Sequence, residues 1–187
     1  MSAAHAKSQW RKVTTANAQS NCWLVLSTAT NSFAGWVMNR VPATCLLAAD
    51  IAGDVGFYTN AVLGLRTEKK AIDYLDWNRH PDFCQFCGDF LRFQLETMMP
   101  RLLVVLGQRP KDTVCSTLGA EIPDAAAWKN RELNSMAAEE TIRVVEWRGK
   151  RLVVHVTSHP YSDCAKGEAA KAESASRLNR AWATAQA

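Results

Sequence analysis

The stretch Pro100-Arg101-Leu102-Leu103-Val104-Val105-Leu106-Gly107 decides how this chain is read. An uninterrupted run of Leu and Val, too short for a helix and without a polar face, suits a strand covered on both sides in a parallel sheet. The proline in front stops whatever helix precedes it, and the glycine behind opens a turn. Immediately upstream, Pro81 is a favoured first-turn residue. The span from about Asp82 to Met98 carries Phe83, Phe86, Phe90, Leu91 and Leu95 at near-helical spacing, which predicts a helix packed by one face on a sheet. Further upstream, the turn Gly53-Asp54 precedes a second strand, Val55 to Thr59. Cys22 to Leu26 is a first strand that runs into the polar loop Ser27 to Ser32. Downstream, Lys111 to Leu118 reads as a short helix, with a further helical tendency from Ala125 to Arg131. The runs Thr141 to Trp147 and Arg151 to Val156 flank Arg148-Gly149-Lys150 as a hairpin delivering the last strand, and an Ala-rich helix is expected from Asp163 to Ala185. Strands separated by helices predict an α/β fold: a three-layer α/β/α sandwich with a central, mostly parallel four-stranded sheet.

The composition sets the outer bounds. At 187 residues, 48% hydrophobic and 21% charged, the chain is long enough for one domain with a substantial core. That domain is expected over residues 21–187, after a flexible N-terminal arm, residues 1–20, carrying Lys7, Arg11 and Lys12. No run approaches the roughly 18 apolar residues of a membrane span, and the first residues lack a signal-peptide core, so a cytoplasmic protein without a membrane partner is expected. The six cysteines lack the dense spacing of a secreted scaffold and are read as reduced thiols. Cys84-Gln85-Phe86-Cys87 is a C-x-x-C on an apolar helix face with no second pair; core thiols are the simpler reading, and neither metal nor cofactor is expected. A formal charge of only +4 permits DNA as a partner through local clusters of Lys and Arg without demanding it.

Ligands of open α/β sheets bind beyond the carboxyl ends of the strands. The candidate site is therefore the union of the loops Ser27 to Gly35, Thr59 to Arg66, Gly107 to Lys111 and Thr157 to Asp163. Within them, Asp54-Val55-Gly56-Phe57-Tyr58-Thr59-Asn60-Ala61-Val62, with Arg66 following, resembles the second-strand motif of the bacterial uracil-DNA glycosylase families. Cys87-Gly88-Asp89-Phe90-Leu91, Gln94-Leu95-Glu96 and the strand 100–107 are similar to the same families' helix and third strand in order and spacing. Val156-Thr157-Ser158-His159-Pro160-Tyr161-Ser162 resembles their final His-Pro motif, so the likeness spans roughly residues 22 to 170.

The resemblance implies a nucleotide flipped out of DNA, because the edge of a stacked base is out of reach. Asn60 would read the uracil edge, since a carboxamide offers both a donor and an acceptor; a lone Asn at a strand end is otherwise a turn residue. His159 would donate a hydrogen bond to the uracil oxygen that gathers negative charge as the N-glycosidic bond breaks. Phe33, in Phe33-Ala34-Gly35, would stack on the base. Tyr161 falls where the family's loop enters the minor groove. Arg66, Lys69, Lys70 and Lys166, with the arm and the C-terminal helix, would meet the DNA backbone. His155, inside a strand run, is read as a core or sheet-surface residue.

The chain departs from the family in its first motif. Ser27-Thr28-Ala29-Thr30-Asn31-Ser32 has no carboxylate and no Gly-Pro pair, so Asn31 or Thr28 would have to position the attacking water. No N-terminal cysteine pair stands where iron–sulfur relatives have one. The sequence therefore supports two functions: a monomeric, uracil-DNA glycosylase-type hydrolase acting in DNA repair, or a catalytically degenerate, non-enzymatic module of the same fold that binds nucleic acid or nucleotide.

Overall fold

The computed structural model describes residues 23–27, 56–61, 81–158 and 167–187. The expected arm, residues 1–20, lies outside them. The class is α/β. In chain order the elements are β1 (Trp23–Ser27), β2 (Gly56–Asn60), α1 (Pro81–Met98), β3 (Leu102–Leu106), α2 (Gln108–Thr117), α3 (Ala125–Asn130), β4 (Ile142–Trp147), β5 (Lys150–Thr157) and α4 (Glu168–Gln186). Two 3-10 turns, Leu133–Ser135 and Ala138–Thr141, join α3 to β4.

The strands form one sheet in the order β2-β1-β3-β5-β4. β1 pairs in parallel with β2 and β3, and β3 in parallel with β5, while β4 runs antiparallel to β5. The sheet thus has five strands and not the four expected. The hairpin strand that was read as delivering β5 is itself an edge strand, held by the pairs Ile142↔His155 to Trp147↔Lys150. Arg148 at φ 52° and Gly149 at φ 72° supply the two left-handed residues of a primed hairpin turn, whose twist matches that of the strands it joins.

β3 explains its own position. All five of its residues are buried, so it needs cover on both faces and takes a central place. Leu103 and Val105 point to one side, where they join Leu152, Val154, Leu91, Leu95, Val114 and Trp128. Leu102 and Val104 point to the other, where they meet Val153 of β5 and Leu178, Ala181 and Ala185 of α4. Each such Leu or Val, taken from water to full burial, contributes roughly 1.5–3 kcal/mol.

The helices depart from expectation in phase and in bounds. α1 buries Cys87, Leu91, Gln94, Leu95 and Met98, whereas Phe86 is 56% exposed and Phe93 is 54% exposed. The packed stripe runs one residue out of step with the aromatic residues whose hydrophobicity suggested it. α2 begins at Gln108, three residues before the expected Lys111. Pro110 does not prevent this, because the first-turn N–H groups have no intrahelical acceptor and a ring there costs no hydrogen bond. α4 begins at Glu168 and not at Asp163; Gly167, at φ 92°, takes a left-handed conformation that would interrupt a longer helix.

Candidate functional site

The four parallel strands hand their carboxyl ends to one edge of the sheet. Ser27 pairs with Asn60 across β1 and β2, and Leu106 pairs with Thr157 across β3 and β5. Asn60 therefore ends β2 on the same edge where β5 ends at Thr157. With β1 and β3 between them, the two ends stand three strand spacings apart, roughly 14 Å.

α1 holds the β2 end in place. Gln94 is 1% exposed, and its Nε2 donates to Thr59 Oγ1 at 2.8 Å; the same hydroxyl lies 3.2 Å from Gln94 Oε1. A buried carboxamide needs such a partner, and here the partner is the residue next to Asn60. Thr59 and Gln94 thus anchor a strand that, among the described residues, stands at the edge of the sheet and pairs with β1.

At the β3 end, Gly107 takes φ 99° and its N–H donates to Thr157 O at 2.8 Å, a turn that leads straight into α2. Gln108 then clasps the segment behind α3. Its Oε1 accepts from Leu133 N at 3.0 Å and its Nε2 donates to Asp112 Oδ1 at 3.1 Å. Burial pushes the Asp112 carboxyl up, opposed by the nearby Lys111 cation and by the Gln108 bond.

Between the β5 end, the Leu133–Ser135 turn and the first half of α4 lies a polar cleft of about 190 Å³, lined by Asn134, Thr157, Ser158, Glu173, Ser174 and Arg177 together with Leu133 and Ala170. The Thr157 and Ser174 hydroxyls are 3.2 Å apart. Ser174 is 8% exposed, and the Arg177 side chain is 25% exposed. Arg177 Nη2 is paired with Glu173 Oε1 on the same helix, and among the described residues Arg177 Nε has no hydrogen-bond partner. The wall thus combines hydroxyls, an amide and a guanidinium, which can donate hydrogen bonds to a polar group, with one carboxylate, Glu173.

Two buried charged or titratable groups lie beside this edge. His155 is fully buried in β5; its Nδ1 is 3.4 Å from Thr141 Oγ1, and its Nε2 has no partner among the described residues. Burial is the main reason its pKa falls from 6.5 to about 4. The hydrogen bond near Thr141 acts against that, and the Arg177 charge adds to it. The expectation of a core or sheet-surface histidine thus resolves to the core. Lys111, also fully buried, donates from Nζ to the carbonyls of Trp128 at 2.7 Å, Lys129 at 3.1 Å and Arg131. These carbonyls lie at the C-terminal end of α3, where a cation is best placed; that of Trp128 also accepts from Arg131 N at 3.3 Å, and that of Lys129 from Gln108 Nε2 at 3.4 Å. Burial lowers the Lys111 pKa, and the Asp112 carboxylate is the largest opposing influence.

Of the residues the sequence nominates, Asn60 has its backbone placed at the carboxyl end of β2. Thr28, Asn31, Phe33, Arg66, Lys69, Lys70, His159, Tyr161 and Lys166 lie outside the described residues. Ser158, which directly precedes His159, lines the cleft. Among the described residues no cluster of three or more His, Cys, Asp or Glu could hold a metal, and Cys84 and Cys87 sit in α1, with burial and the neighbouring Cys87 pushing the Cys84 thiol up.

Gln94, Asn134, Ser174 and Arg177 were missed as site residues. A usable signal existed for Ser174: continuing the Leu178, Ala181 and Ala185 stripe back by four residues places it over the end of β5. No helix among the described residues is long and apolar enough to cross a membrane. No protein-family model matches the chain, and no curated protein matches it significantly.

Proposed function

We propose that this protein is a uracil-DNA glycosylase-type hydrolase. It would bind DNA, flip a uracil or related base from the stack, and hydrolyse its N-glycosidic bond, in the cytoplasm and as a monomer. In this reading the fold is a three-layer α/β/α sandwich built on the parallel strands β2-β1-β3-β5. One observation carries most of the support. The register brings Asn60 and the residue before the His159 loop to the same sheet edge, on either side of the central strands. That edge is where an α/β sheet gathers its ligand-binding loops.

The roles follow from chemistry. Asn60 reads the base edge from a strand end braced by Thr59 and Gln94. Phe33 stacks on the base, and His159 donates to the oxygen on which charge collects. Thr28 and Asn31 are the groups available to orient water. Arg66, Lys69, Lys70 and Lys166 meet phosphates, and Tyr161 takes the place of the base lifted from the stack.

Uracil release from single- and double-stranded oligonucleotides tests this. Wild type should release the base. His159→Ala should slow release by about 10²–10³-fold, the scale of losing one donor to a developing oxyanion, and Asn60→Ala should also abolish the preference for uracil over cytosine. Pure wild-type protein that releases no base refutes the hydrolase. A second reading has its own support: residues 27–32 contain no carboxylate to activate water. Salt-sensitive DNA binding without release would favour that reading, a non-catalytic binding module.

A further inference from the structure

We propose that the cleft at the end of β5 is a phosphate-binding site, in which the Arg177 guanidinium and the hydroxyls of Thr157, Ser158 and Ser174 hold one phosphate group. This stands whether or not the protein cleaves a glycosidic bond.

Size narrows the ligand first. At about 190 Å³ the cleft falls below the roughly 300–1,000 Å³ of pockets that enclose drug-sized molecules. It has room for one small group, so a base with its sugar must be held elsewhere.

The inventory of donors gives the ligand its sign. In the Thr157–Ser174 pair only one hydroxyl hydrogen points at the other oxygen, which leaves the second hydroxyl to donate outward. Ser158 and the Asn134 amide add further donors to the lining. Arg177 is a fixed cation that is three-quarters covered, and its planar fork matches phosphate oxygens bidentately.

One group opposes an anion: the Glu173 carboxylate, which also lines the cleft and pairs with Arg177. Its side chain is 63% exposed, and an exposed i, i+4 ion pair is among the weakest polar interactions a helix makes. A charge-assisted arginine–phosphate contact, formed where the guanidinium is largely shielded from water, is considerably stronger. Phosphate therefore wins the guanidinium, and Glu173 swings into solvent. The carboxylate acts as a placeholder that keeps Arg177 aligned while the cleft is empty.

The test is a titration of the full chain with inorganic phosphate in a phosphate-free buffer, followed by the amide signals of Ser158 and Ser174 and the side-chain Nε–H of Arg177 in NMR. Saturable shifts are expected at these groups. Arg177→Gln should weaken binding about tenfold or more, the scale of one charged hydrogen bond. Glu173→Gln should tighten it about two- to fivefold, because the competing partner is removed. A gain of affinity cannot come from damage to the fold, so the second variant keeps the test decisive if the first folds poorly. Absence of saturable shifts in wild type, or Glu173→Gln binding no tighter than wild type, overturns the proposal. A parallel titration with a short DNA duplex identifies the source of the phosphate. Displacement of inorganic phosphate by the duplex points to a nucleic-acid backbone, and its failure to displace points to a free or small-molecule phosphate.

Discussion

Acidification should destabilise this protein through one residue, and the size of the effect can be worked out. His155 is fully buried, with its pKa lowered from 6.5 to about 4, so the folded chain keeps it neutral where the unfolded chain has already taken up a proton. Between those two values the unfolded state binds more protons, and stability falls as the pH falls. The loss begins near pH 6.5, is complete below about 4, and amounts to about 3 kcal/mol at 1.36 kcal/mol per unit. The perturbation that isolates it is His155→Leu, which fills most of the same space and cannot titrate. Other groups also respond to acid. Glu140, whose carboxyl is held low by the Ala137 N–H and the Arg131 guanidinium, is one of them. The assay is therefore a comparison: urea unfolding of wild type and variant, followed by tryptophan fluorescence, at several values from about pH 7 to pH 4. The stability of wild type minus that of the variant should drop by about 3 kcal/mol across the window. A difference that stays constant to within about 1 kcal/mol would show that His155 is protonated in the folded state, or that the strand opens to water, and would refute the reasoning.

Two other substitutions or labels probe the packing. Lys111→Met removes the ammonium that bonds the carbonyls of Trp128, Lys129 and Arg131, and should cost about 2–4 kcal/mol in urea unfolding at neutral pH. A cost below about 0.5 kcal/mol would mean that water satisfies those carbonyls as well as the ammonium does. Cys115 is buried, and burial pushes its thiol up to about 11, so it should resist iodoacetamide in the native protein near pH 8 and react once urea is added. Rapid native alkylation at Cys115, located by mass spectrometry, would contradict that placement.

The central strand could be read from the sequence because its signal is local: an unbroken apolar run between a proline and a glycine suits few other structures. The class followed from the alternation of such runs with helical spacing. Its fifth strand is legible as the hairpin partner Thr141 to Trp147, but the sequence pattern does not say that this partner extends the sheet as its edge strand; that follows from its full-length pairing with β5. In α1 the expected Leu91 and Leu95 do face the core, and only the aromatic part of the stripe is displaced. Phe86 weighs heavily in any hydrophobic pattern, yet its angular position places it on the far side from Leu91 and Leu95. Asn60 was legible as a strand end, whereas its brace was not, because Gln94 and Thr59 are 35 residues apart and meet only in the fold. The sequence assigns the C-terminal helix as a whole to the DNA backbone and singles out neither Arg177 nor Ser174, whose place in the cleft comes from Thr157 on the strand beneath.

The buried ammonium of Lys111 also gives the protein a chemical clock. The carbonyls that bind it belong to the end of α3 and to the chain entering the Leu133–Ser135 turn, while Lys111 itself stands in the first turn of α2. A reagent that modifies amines reaches that nitrogen only when these two segments part. Under conditions where exposed lysines are labelled within minutes, the slow appearance of modified Lys111 would report how often the region behind β3 opens, and so how often the wall carrying Asn134 comes away from the cleft.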